Sequence, residues 1–284
     1  DGKLVPVHQT AEYKEALQWM RKIYEDGLVR PDWATVDTST WEDGCKKGEA
    51  GCFLDTMDGA KRIWNYFTSN NVASVVDPST TATMTMVGPI AKDANSEPRT
   101  LATSGYNGFY LITKSGAKTE EDLKNCLTFL DKMNDDPMLE LADYGIEGIS
   151  YDLNENGNVV LNPDYDASQT PNCGLNQAVA YIPNMSSVSH PLEKAESQIE
   201  SEACQEVNEK YAVFNPALGY LANSATNAEV GTDIEQIIDD ARTQYICGQI
   251  DDAGLDDAAQ QWLDRGGAQL VEEVNELYAA DTNK

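Results

Sequence analysis

The sequence predicts an α/β fold. Short apolar runs of strand length alternate with amphipathic helical stretches, an Asn-Gly pair sits inside an alternating segment, and the last third reads as helix almost throughout.

The elements follow in order. Tyr13, Ala16, Leu17, Met20, Ile23 and Tyr24 recur at helical spacing, so residues 11–26 read as a helix capped by Thr10 and stopped by Gly27. Ser39 with Glu42 three positions later reads as a capping box opening a short helix to Lys47, which Gly48 ends. AGCFLD (50–55) reads as a buried strand. Ala60, Ile63, Trp64 and Phe67 mark a third helix. TMTMVGPI (83–90) and GFYLITK (108–114) read as strands. Thr119 starts a helix carrying Leu123, Cys126, Leu127, Leu130 and Met133 on one face. Asp136-Pro137 opens another that ends near Tyr144-Gly145. Residues 149–161 alternate around Asn156-Gly157, a hairpin with a type I′ turn. AVAYI (178–182) reads as a further strand. Helices are expected over roughly 190–211, 232–247 and 256–280, the second opened by a Thr232/Glu235 capping box and the third broken at Gly266-Gly267.

Composition bounds function. The 284 residues carry 20 Lys+Arg against 48 Asp+Glu, a formal net charge of −28. Nucleic-acid affinity needs clustered cations, so a phosphate-backbone binder is excluded, and docking on anionic lipid by charge is disfavoured. A hydrophobic fraction of 41% suffices for a core, in one large domain or two small ones. No run approaches the ~20 apolar residues that span a bilayer. The chain opens at DGKLVPVHQT with neither initiator Met nor leader, and reads as a mature or truncated piece of something longer.

Chemistry-bearing motifs are few. The six cysteines include one close pair, Cys45 and Cys52, for which a bridge and two idle thiols both fit. His8 and His190 are isolated, so neither a zinc set nor a His-based nucleophile triad assembles from sequence, and no cofactor is expected. Asp152, Asn154, Asn156 and Gly157 match half of a calcium loop, but the closing acid position is Pro163 and a hairpin turn explains the same residues. Chance carboxylate pairs leave a glycoside hydrolase or lyase open, and a surface adhesion module is a third reading. The 5 Trp and 13 Tyr point further, because their flat apolar faces suit the CH face of a sugar. Trp19, Trp64 and Trp262 fall at or beside core stripes, whereas Trp33 and Trp41 stand near helix entries and are open to binding.

Five segments in order resemble the extracellular solute-binding proteins of ABC importers, the carbohydrate-type family 1, and within it the large lipoprotein branch of Gram-positive bacteria. They are EYKEALQWMRKIYEDGLVRPDWAT (12–35), WEDGCKKGEAGCFLD (41–55), GYNGFYLITKSGAKTEEDLKNCLTFLDKM (105–133), YGIEGISYDLNENGNVV (144–160) and residues 241–280. The resemblance implies a helix-rich lobe of the two-lobed, periplasmic-binding-protein-like (type II) fold, with residues 1–105 and 150–284 in the C-terminal lobe and 106–149 crossing toward an N-terminal lobe that this chain lacks. It implies a non-catalytic, cell-surface lipoprotein that delivers a sugar or oligosaccharide to ABC permease subunits and meets the membrane only through a lipid anchor outside this chain. Peptides or other polar solutes could take the sugar's place. The implied ligand-binding residues are Asp55, Thr56 and Met57 after AGCFLD, Tyr106 and Asn107 at the entry of the returning strand, and Trp41 and Tyr181 as aromatic platforms. Capping of the following helix explains Asp55 equally well.

Overall fold

The structure, a computed structural model, describes residues 2–103, 109–162 and 190–281. The chain divides into two compact units, one of Asp1–Asp55, Ile90–Ser104 and Tyr211–Lys284, the other of Thr56–Pro89 and Gly105–Lys210.

Helices build the first unit. In α1 (Ala11–Glu25) the Thr10 side chain accepts the Tyr13 N–H, and Gly27 at φ 71° closes the C-terminal end, as the sequence requires. Leu17 on α1 packs with Tyr245 and Ile246 of α8 (Ala225–Ile246). Trp33 joins that cluster as a partly buried packing residue, which corrects its reading as a binding candidate. Trp19 stays largely exposed, whereas Trp262 is buried.

After α8 come α9 (Asp252–Trp262) and α10 (Ala268–Ala280). Ile234, Trp262, Leu270 and Val274 form the core between them. The expected break falls at residues 263–267, where Gly266 adopts φ 126°. A Cβ on Gly267 would lie inside the Trp262 ring, so only glycine lets the two helices turn there. The chain start is fastened to α10 by one side chain. Asn275 accepts the Leu4 N–H through Oδ1 at 2.8 Å and donates Nδ2–H to the Leu4 carbonyl at 2.9 Å.

The start of α8 differs from expectation. The helix begins at Ala225, with Ser224 as cap, and Thr232 lies in its interior. Glu273 of α10 explains the shift. Its carboxylate accepts the Ser224 hydroxyl at 2.6 Å, the Thr226 hydroxyl at 2.6 Å and the Thr226 N–H at 3.1 Å. An acid from a distant helix thus satisfies donors of the first turn, which local sequence cannot show.

This unit also contains the short parallel pair β1 (Thr100–Leu101) and β4 (Ala212–Val213), registered Thr100 to Ala212 and Leu101 to Val213. Ile90 and Arg99 form an antiparallel bridge beside it.

In the second unit, α3 (Met57–Ser69) buries Ile63, Trp64 and Phe67 and packs against α6 (Glu196–Lys210). The Ser197 hydroxyl donates to Asn65 Oδ1 at 2.6 Å. α4 (Glu120–Lys132) opens with a reciprocal Thr119–Asp122 capping box, and α5 (Asp136–Asp143) starts at the Asp-Pro pair. β2 (Tyr151–Leu153) pairs antiparallel with β3 (Val159–Leu161). The hairpin stands, but its turn is not type I′. Gly157 alone in the loop has positive φ, and the Gly157 N–H reaches the Asn154 carbonyl at 2.9 Å, the geometry of a type I turn closed by a glycine bulge. Asn154 Oδ1 accepts two loop N–H groups, from Asn156 and Asn158, so it serves the turn rather than a cation.

Three expected strands are absent. Residues 50–55, 83–90 and 109–114 run without a ladder. Leu54, Phe109 and Leu111 are 86%, 81% and 78% exposed, so these apolar runs are not the buried strands that their composition suggests. In the 83–90 run the Met86 N–H is taken by the Glu200 carboxylate of α6 at 2.8 Å, a side-chain partner in place of a neighbouring strand. AVAYI (178–182) lies outside the described residues.

Candidate functional site

The local order around Trp41 comes from three short devices. Asp37 caps the turn Thr38–Thr40, its Oδ1 accepting the Ser39 N–H at 2.8 Å and the Ser39 hydroxyl at 2.6 Å. This corrects the Ser39/Glu42 capping box: the acid before the serine takes the role, and the hydrogen bonds to Ser39 hold the Asp37 carboxyl below its usual range. α2 (Asp43–Lys46) follows, with Cys45 buried and Glu42 bonded to Lys46 at 2.8 Å across one turn. Gly48 at φ 73° then reverses the chain, and the Glu49 and Ala50 N–H groups donate back to the Gly44 carbonyl.

That reversal returns Phe53 to Trp41, with ring centroids 5.7 Å apart and planes tilted by 52°. Trp41 keeps 44% of its surface exposed. The result is an aromatic shelf of two rings on a loop that carries Asp37, Glu42, Asp43, Glu49 and Asp55. Among the described residues, three cations of this stretch are paired. Lys46 pairs with Glu42, Lys47 with Asp43 at 3.4 Å, and Arg30 grips Asp32 with two nitrogens at 2.6 and 2.8 Å. Cys45 and Cys52 are free thiols, and burial raises the Cys45 thiol, with Cys52 and Glu42 adding smaller pushes.

The other expected site residues distribute as follows. Asp55 is exposed, two positions beyond Phe53. It does not occupy the cap of α3: Thr56 stands there, its carbonyl accepting the Gly59 N–H, and Met57 is the first helical residue. Tyr106, Asn107 and Tyr181 lie outside the described residues. Phe53 was not anticipated from sequence. It sits in an apolar run that looks like core, and only the glycine at 48 hints that the chain doubles back there.

A separate cavity of about 280 Å³ lies between the start of α1 and helices α8 and α9, walled by Ala11, Ala241, Ala258 and Ala259 and by His8 and Tyr13. The His8 ring stands edge-on to Trp262 at 4.5 Å. Burial lowers the His8 pKa and raises that of Tyr13, so both are neutral at pH 7. In the other unit, burial raises the Asp143 carboxyl on α5. A glycosidase pair needs a second carboxyl across a substrate space, and Asp143 lines neither this cavity nor the open one beside Tyr220. Among the described residues, no group of three or more His, Cys, Asp or Glu is placed to hold a metal ion, and no helix is long and apolar enough to cross a membrane.

No protein-family model matches the sequence. Two curated relatives from Bacillus subtilis (strain 168) do. The chain is 35% identical over 278 residues to Lipoprotein LipO, covering 98% of this chain and 53% of LipO. It is 27% identical over 282 residues to the polygalacturonan/rhamnogalacturonan-binding protein YtcQ, covering 98% of this chain and 52% of that protein. The chain therefore spans about half the length of the curated relatives it matches. Among solved structures, the alginate-binding protein AlgQ2, in a crystal structure without calcium ion, superposes with a TM-score of 0.57 at 15% identity, over 98% of this chain and 56% of that one. The two chains share a fold, here in a helix-rich form.

Proposed function

We propose that this chain is part of a non-catalytic, extracellular solute-binding protein of the carbohydrate-type family 1 that passes an oligosaccharide to an ABC permease. The Trp41–Phe53 shelf carries the reading, because an exposed indole face offers a pyranose ring an apolar platform while nearby carboxylates accept its hydroxyl protons. A relative named for binding galacturonan polymers, and a neighbour in fold named for binding alginate, support the ligand class. A relative named as a lipoprotein supports a cell-surface protein held by a lipid anchor in a Gram-positive bacterium.

The reading includes the two-lobed clamshell, closing on its ligand by rigid-body motion. In it residues 1–105 and 150–284 belong to the C-terminal lobe, and 106–149 is the proposed segment crossing toward the other lobe. It also gives the exposed apolar runs at 83–90 and 109–114 a purpose, as strands that pair with further chain in a longer protein. Tyr106, Asn107 and Tyr181 join Trp41, Asp55, Thr56 and Met57 as proposed ligand contacts.

The test is calorimetry with pectic and neutral oligosaccharides, with chromatography of the sugars after overnight incubation. Saturable binding with the sugars recovered intact is expected. Release of shorter or unsaturated products would sink the proposal in favour of a hydrolase or lyase.

A further inference from the structure

Cys45 and Cys52 lie on the two arms of the chain reversal that brings Phe53 to Trp41. Contacts at two levels hold those arms together. Near the bend, the Gly44 carbonyl accepts the Glu49 N–H at 2.8 Å and the Ala50 N–H at 3.1 Å, and a methyl placed on Gly44 would touch the Ala50 Cβ at 3.8 Å. Farther out, the Trp41 and Phe53 rings meet at 5.7 Å. Each cysteine is tied to both levels. Cys45 follows Gly44 directly and sits one helical turn after Trp41, on the same side of that turn. Cys52 adjoins Phe53 and stands two positions after Ala50. The sulfurs feel one another: burial raises the Cys45 thiol most, and Cys52 adds to the rise. Both thiols are free, with Cys45 buried and Cys52 exposed to reagents.

We propose that Cys45 and Cys52 are a disulfide-forming pair, and that closing the bridge locks the arm carrying Phe53 against the arm carrying Trp41. The oxidant is a low-molecular-weight disulfide, and the exposed Cys52 meets it first. The Cys52 thiolate attacks one sulfur of the reagent, the reagent's S–S bond breaks, and one small thiolate leaves. The Cys45 thiolate then attacks Cys52 Sγ, forms the bridge and expels the second small thiolate. Two protein thiols are oxidised to one disulfide, the reagent is reduced to two thiols, and the protons lost by the cysteines end on those thiols. The bridge closes residues 45–52 into a loop and removes conformational freedom from a bend held by backbone hydrogen bonds. It stands or falls without reference to the sugar.

In the experiment the reduced full chain is treated with oxidised glutathione at about pH 8, blocked with iodoacetamide and digested with trypsin without reductant. Lys46 and Lys47 lie between the two cysteines, so residues 23–46 and 48–61 emerge as a single species only when they are bridged. That species is expected, two hydrogens lighter than the sum of its thiol peptides and split by a reductant. Hydrogen exchange of the amides at 48–53 is expected to slow about fivefold on oxidation. In Cys52→Ser, a change at an exposed position, the oxidant is expected to leave that exchange as it was. Both cysteines recovered alkylated, a glutathione adduct that persists on Cys52 beside alkylated Cys45, or a link from either to another cysteine overturns the pairing. A bridge that leaves exchange at 48–53 unchanged overturns the lock.

Discussion

The α8–α9–α10 region and the apolar runs at 52–55, 83–90 and 109–113 are built from similar residues and end in opposite states. The helices make their backbone hydrogen bonds internally and need a partner only for one face, which they find in one another and in α1. The extended runs need a neighbour for their backbone as well as their side chains, and among the described residues no ladder forms on them. Apolar composition alone therefore does not make a core. Where the hydrogen bonds are local, burial follows from sequence; where they are not, it waits for a partner.

That contrast can be tested by substitution. Ile234→Ala removes a side chain that is 2% exposed at the centre of the helical core, and is expected to cost about 3 kcal/mol. Urea unfolding followed by circular dichroism reads it. A loss below about 1 kcal/mol would show that this core is loosely packed and that the comparison is misdrawn.

Gly267→Ala attacks the same core through its backbone. The added methyl collides with the Trp262 ring, and a cost of about 2 kcal/mol is expected, accompanied by a change in tryptophan fluorescence. An unaltered emission spectrum at full stability would mean that the α9–α10 turn relaxes without moving the indole.

A smaller effect concerns Glu273. Its hydrogen bonds from Ser224 and Thr226 lower its pKa from 4.5 to about 2. A folded-state pKa below the unfolded one gives stability that is complete above the unfolded value, declines as pH falls below 4.5 and is gone near 2. The melting temperature of the natural protein should therefore exceed that of Glu273→Gln at pH 6, and the gap should close toward pH 2.5. A gap independent of pH would assign the effect to shape rather than charge.

The smallest effect is expected on the extended side. Phe109→Ser changes an exposed ring, and its unfolding free energy should stay within about 0.5 kcal/mol of the unsubstituted protein. Light scattering is the informative measurement, since removing an exposed aromatic should lower self-association. A loss of 2 kcal/mol would show that the 109–113 run is buried after all.

Legibility follows the same division. Thr10, Gly27, Thr119, Asp136-Pro137 and Gly266-Gly267 announce helix ends through local hydrogen bonds and backbone angles, and the structure places ends at each. The true start of α8 escaped because Glu273, 47 positions from Thr226, completes it. The strands were over-read, since a β-run is defined by what lies beside it. In the site, Trp41 and Asp55 were visible as residue types in suggestive places. Phe53 was hidden by the apolar run around it, and its pairing with Trp41 depends on a chain reversal over Gly48 and Ala50 that no periodicity reveals.

The grip of Asn275 on the Leu4 peptide has a practical consequence. One amide group holds both the donor and the acceptor of a residue 271 positions away. Cutting the polypeptide once on a distant loop would leave residue 4 still bonded to the last helix and α1 still packed on α8, so the two pieces should travel together until a denaturant unfolds that packing.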